Sequence, residues 1–170
     1  MKDDEDNDAP PQGRRAAKSQ GHATDIPARR HQGRMLALQV LYEVDLTAHD
    51  PEEAMTRAFA EHDPLTDDVI KQVHGLVRGV LQHRDDLDPI IAAVAPARTL
   101  AEQAVIERNV LRLAVYELLH VPRVPPKVAI NEGVELAKRF GGENSGKFVN
   151  GVLRTIYERH PRPDGAPAAE

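Results

Sequence analysis

The sequence predicts an all-α fold, and three observations carry that prediction. Between residues 29 and 160, apolar side chains recur at three- and four-residue intervals, the period of a helix with a buried face. No segment alternates apolar and polar residues as a half-buried strand would. Aspartate, serine, threonine and proline stand where helices must start.

In the first helix Met35, Leu38, Leu41 and Tyr42 form one stripe and Ala37, Val40 and Val44 its neighbour. Only Gln39 and Glu43 remain as a polar edge, so this helix must pack on two sides. Asp50-Pro51-Glu52-Glu53 supplies an N-cap, a proline at the first position and an acidic first turn for a second helix ending near Glu61. A third starts at Thr66-Asp67-Asp68, with Val69, Val73, Leu76, Val77 and Val80 inward. A fourth, Asp85 to Val94, buries Leu87, Ile90, Ile91 and Val94 before Pro96. The fifth, about Leu100 to His120, is the most apolar and should be central. Pro122, Pro125 and Pro126 then impose an extended link. The sixth, Lys127 to Phe140, buries Ile130, Gly133, Val134, Leu136 and Ala137. Asn144 or Ser145 caps a seventh, with Val149, Val152, Leu153 and Ile156 inward.

The 170 residues suit one domain with tails. Residues 1–28 contain no Val, Leu or Phe and read as a disordered tail; residues 161–170, with three prolines, read as another. The folded domain is therefore placed at 29–160. The absence of cysteine excludes disulfides, thiolate catalysis and Cys-ligated zinc. The five acids among the first eight residues are unlike a targeting leader, and no apolar run reaches the ~18 residues of a membrane span. The expected compartment is the cytoplasm, with no membrane contact.

The net charge of −5 argues against indiscriminate coating of nucleic acid, but its distribution says more. From Glu43 to Asp68 nine acids face one base, Arg57, whereas Arg29 to Arg34 holds three arginines and no acid. Cations at a helix start oppose the macrodipole. Either Arg29–Arg34 is the basic end of a disordered tail, or it binds phosphate together with that helix N-terminus. Five bases against two acids mark Lys138 to Arg159. There a glycine-rich turn, flanked by Phe140 and Phe148, leads into a helix beside Lys147. An aromatic beside lysine can stack on an unpaired base; the same phenylalanines also fit an ordinary core and helix–helix turn.

Gly141 to Lys147 satisfies G-x-x-x-x-G-K, yet Phe148 stands where a P-loop needs Ser or Thr, and a helix precedes it instead of a strand. Nucleotide hydrolysis is rejected. The eight histidines have no paired ligand spacing, and no nucleophile motif is present. The sequence predicts no metal, no cofactor and no catalysis.

Four segments carry a family resemblance. Arg30-His31-Gln32-Gly33-Arg34 followed by Ala37-Leu38-Gln39-Val40-Leu41-Tyr42 resembles the opening of the NusB transcription antitermination factors. Asn109 to Leu118 looks like the central helix of that family, and Pro126 to Lys138 and Lys147 to Leu153 match two further blocks in family order. The resemblance implies about seven helices in two three-helix-type bundles. It also implies pairing with NusE, a ribosomal small-subunit protein, and binding of single-stranded boxA RNA within an antitermination complex of RNA polymerase, notably on ribosomal RNA operons. RNA contacts carried over from the family fall on Arg30, Arg34, Tyr42, Phe140, Lys147 and Phe148, and a partner contact falls on Glu107. His31 and Gln32 stand where Arg and Lys are common, and Asn144 replaces a frequent Asp, removing a charge that would repel phosphate.

Two rival readings fit parts of the same sequence. Some ribosomal RNA methyltransferases carry a NusB-like domain, but they need a further α/β domain for which 170 residues leave no space. A helical scaffold binding only protein would lack salt-dependent, selective RNA binding. Whether the protein is monomeric or a homodimer is left open by the sequence.

Overall fold

The computed structural model describes residues 20–162 except positions 63 and 96, with side chains from Asp25 onward. Those residues form six helices and no strand: α1 (Gln20–Thr47), α2 (Pro51–Glu61), α3 (Asp67–Val94), α4 (Val105–His120), α5 (Pro126–Phe140) and α6 (Ser145–Arg159). The all-α expectation holds. Helices α1–α3 pack on one another, as do α4–α6, and α4 joins the groups by touching α1 and α3. A single apolar core runs through both groups, from Leu38 and Met55 through Val77 and Leu111 to Leu136 and Leu153.

Six helices replace the expected seven because the third and fourth are one element. Leu87 and Ile91 continue the buried stripe of Val73, Val77 and Val80, and residues 81–84 hold no glycine or proline to break it. Pro89 removes one backbone hydrogen bond inside α3, a loss that the burial of Leu87 and Ile91, two positions before and after it, offsets. Helix α4 starts at Val105, five residues later than expected. Ahead of it, Thr99 and Glu102 close a one-turn capping box: the Thr99 backbone N–H donates to Glu102 at 2.8 Å and the Glu102 N–H to Thr99 Oγ1 at 3.3 Å. Ala104 then turns extended, with ψ 137°, so this turn cannot run into α4.

Both tail boundaries shift as well. Residues 20–28, read as tail, belong to α1, where an i,i+4 bond of 2.7 Å from Arg29 to Asp25 supports the turn containing Pro27. Residues 1–19, the remainder of that predicted tail, and 163–170 lie outside the described residues. At the other end Arg162 donates to the carbonyls of Glu117, Val121 and Val124, adding a second donor to the first two and tying this part of the chain to the end of α4 and the link that follows it.

The expected cap of α2 is present: Asp50 accepts from the N–H groups of Glu52 and Glu53 at 3.0 and 3.1 Å, and Pro51 follows it. Helices α1 and α3 approach closely at Gly33, where a Cβ would lie 2.6 Å from Gln72 Oε1. Gln72 in turn donates to the Arg30 carbonyl at 3.1 Å. Asp45, near the end of α1, accepts from Arg108 at 2.7 Å, Asn109 at 2.8 Å and Arg112 at 3.0 Å. Arg112 also grips Asp88 of α3 through two bonds of 2.7 and 2.9 Å. Three helices are thereby pinned by one charged cluster. No described helix is long and apolar enough to cross a membrane.

Candidate nucleic-acid interface

The basic run at 29–34 is not at a helix start. It lies inside α1, so the helix N-terminus cannot contribute to a phosphate site there. Its residues also diverge. Arg29 pairs with Asp25 and reaches Asp68 at 3.8 Å. His31 meets Glu132 of α5 at 2.8 Å. Arg34 is 4% exposed and makes a two-pronged bond to Glu117 of α4, at 2.8 and 2.9 Å. Arg34, expected to contact RNA, therefore has its Nε and Nη2 donors bonded to Glu117 in the interior. Arg30 is exposed and, among the described residues, makes no ion pair. It lines a cavity of about 650 Å³ with Gln72, Tyr116, His120 and Arg123.

The glycine turn behaves differently. Helix α5 ends at Phe140, with the Gly141 N–H donating to the Ala137 carbonyl at 2.8 Å. At Gly141 a Cβ would come within 2.6 Å of that same carbonyl oxygen, so the tight exit from α5 requires glycine. The turn leaves Phe140 44% exposed, with the Arg139 guanidinium 5.4 Å from its ring centroid. Tyr42, 39% exposed on α1, shares with Phe140 a groove of about 690 Å³ that Gln32, Met35, Gln39 and Ile106 complete. Asp45 lies one turn beyond Tyr42, and its bonds to α4 fix this stretch of α1. Burial pushes the Asp45 carboxyl up, but the bonds from Arg108 and Asn109 and the charge of Arg112 outweigh it, holding the group below its ordinary range.

Across the turn, Phe148 is half-buried at the margin of the core and Lys147 is exposed. Both line a second trough, of about 420 Å³, with Arg98, Gly151 and Thr155. The two sequence expectations for the phenylalanines thus divide: Phe140 stands out in solvent, whereas Phe148 also packs. Glu107, expected to face a protein partner, is turned inward and only 9% exposed. It accepts from Ser145 Oγ at the start of α6, placing a negative charge at a helix N-terminus that has no side-chain cap of its own. The bond ties the start of α6 to α4 and leaves little of Glu107 on the surface where a partner contact was expected.

The structure therefore brings Tyr42 together with Phe140 and Lys147 together with Phe148, sets Arg30 apart, and buries Arg34 and Glu107. Sequence reasoning missed Arg98 and Arg139, the two guanidinium groups over the phenylalanine rings. Arg139 adjoins Phe140 and could have been found; Arg98 is a lone base in a link.

Six helices presenting aromatic rings backed by arginines on the surface make a helical binding protein. Comparison with known proteins carries this further: the chain belongs to the NusB family, whose sequence model matches residues 31–158. It is 48% identical over 136 residues to the transcription antitermination protein NusB of Anaeromyxobacter dehalogenans, covering 80% of this chain and 95% of that one. The same-named protein of Dehalococcoides mccartyi strain CBDB1 is 44% identical, over 75% of this chain and 88% of its own. Among solved structures, NusB of T. maritima matches with a TM-score of 0.73 and 32% identity, covering 78% of this chain and 93% of that one. A structure of antitermination factors NusB and NusE in complex with double-stranded RNA matches at TM-score 0.72 and 32% identity, covering 78% and 98%.

Proposed function

We propose that this protein is a transcription antitermination factor that binds boxA-type single-stranded RNA together with NusE. It thereby helps assemble a termination-resistant RNA polymerase in the cytoplasm, notably on ribosomal RNA operons. The observation that carries this reading is the exposed, cation-backed ring of Phe140, which lines one groove together with Tyr42. Rings of this kind receive unstacked bases, each worth about 1–3 kcal/mol, while Arg30, Arg139 and Lys147 supply charge for phosphates. Family membership and the likeness to a NusB–NusE–RNA complex support the same partners. The RNA named in that complex is double-stranded. Exposed aromatics favour a single strand here, because bases within an A-form duplex are already stacked and its major groove is too deep and narrow for side chains to read.

Fluorescence anisotropy tests the reading, using labelled boxA RNA, a scrambled strand and a duplex of the same sequence, across a salt series with and without NusE. Selective single-strand binding that NusE tightens and salt weakens is the expected result. Equal affinity for all three RNAs, with NusE present, would leave a helical scaffold for proteins.

A further inference from the structure

Arg98 lies in the link between α3 and α4, outside both basic motifs. Its guanidinium carbon is 4.9 Å from the Phe148 ring centroid, and its Nη1 is 3.9 Å from Glu107 Oε2. That carboxylate oxygen is buried and accepts no hydrogen bond from the described residues, because Ser145 serves the other oxygen. The attraction therefore holds Arg98 near without engaging its donors, and the side chain remains 49% exposed. From Phe148 the trough continues over Lys147, Gly151 and Thr155, which recur every four residues and share one face of α6.

Gly151 has no internal explanation. It is exposed in mid-helix, and a Cβ there would meet nothing within 4 Å. Glycine weakens a helix interior relative to alanine. Its missing side chain instead leaves the helix backbone open to close approach from outside, in the trough that Arg98, Lys147 and Phe148 also line.

We propose that Arg98, Lys147, Phe148 and Gly151 seat one nucleotide of the bound RNA. The base stacks on Phe148, the phosphate lies between Arg98 and Lys147, and the sugar passes over Gly151. This assignment rests on the RNA-binding reading above. In the free protein Arg98 covers the Phe148 ring; on binding, it exchanges the ring for phosphate oxygens, to which its planar donor fork is matched. Arg98 is thus an RNA-binding residue supplied by a segment that neither motif includes.

The test uses the full chain, the labelled single-stranded boxA RNA and a salt series. Arg98→Ala should weaken binding about fivefold and make the log–log salt slope shallower by about 0.7, the value of one lost phosphate contact on a single strand. Arg98→Lys should restore the slope but only part of the affinity, since charge returns without the fork. Gly151→Ala should raise the melting temperature yet weaken RNA binding about threefold, a combination that a purely structural glycine cannot give. If Arg98→Ala and Gly151→Ala bind like the unaltered protein while Phe148→Ala binds weakly, the nucleotide site is overturned and the RNA reading survives. If the unaltered protein does not select boxA RNA, both fall.

Discussion

The segments 29–34 and 138–148 are both rich in basic residues, and the fold turns them in opposite directions. In α1 the run faces inward: Arg34 reaches a carboxylate on α4, His31 one on α5, and Arg34 is 4% exposed. At the α5–α6 turn it faces outward, leaving Phe140 44% exposed under Arg139. Charge count does not separate the two. A buried acid placed opposite Arg34 in fork geometry does, and the glycine turn lacks one. Charge marks a binding surface only where the fold has not already consumed it.

The largest test of this contrast is Arg34→Ala. It strands Glu117, 2% exposed, without its partner. Stability should fall by about 3–5 kcal/mol, as when one member of a buried pair is removed. Urea denaturation measures it, and a loss below ~1 kcal/mol would mean that Arg34 is no more than a surface base. Phe140→Ala comes next. RNA affinity should drop by about 1–3 kcal/mol with the circular dichroism spectrum and melting temperature unchanged; a collapsed spectrum would reassign this ring to the core. Arg30→Ala tests the exposed member of the inward run. It should leave stability alone and reduce the salt slope of RNA binding by about 0.7 if one phosphate reaches it. An unchanged slope would confine the RNA to the α5–α6 side.

The smallest effect concerns His120, which lines the Arg30 cavity. Burial, and then the neighbouring His83 with its ring centroid 4.3 Å away, lower the His120 pKa from 6.5 despite Asp86. A base with a lowered folded pKa binds fewer protons folded than unfolded. This contribution to stability is complete above pH 6.5 and is lost as the pH falls through the lowered value. Melting curves between pH 7.5 and 5 should show a small decline that His120→Asn removes; an identical decline in the variant would place the titrating group elsewhere.

Local signals were legible in the sequence wherever they were self-contained. The Asp50-Pro51 start of α2 needs only neighbouring residues, and the glycine turn is as local, although it left Phe140 open between a stacking surface and the core. The burial of Arg34 depends on Glu117, 83 positions away, and no local pattern announces it. The continuity of α3 was hidden by competing local cues. Asp85-Asp86 resembles a helix start, yet the stripe from Val80 to Leu87 and Ile91 overrides it. Arg98 was missed because its meaning comes from Phe148 on another helix.

The uninterrupted run of α3 bears on how the molecule comes apart. At 28 residues it is about 42 Å long, and it lies against α1 and α2 as well as α4 and α6. Neither group of three helices can loosen without stripping contacts from this shared strut. The chain is accordingly built to unfold in one cooperative transition, and a lesion in α1, such as the loss of Arg34, lowers the melting point of the distant α5–α6 face by the same amount as its own.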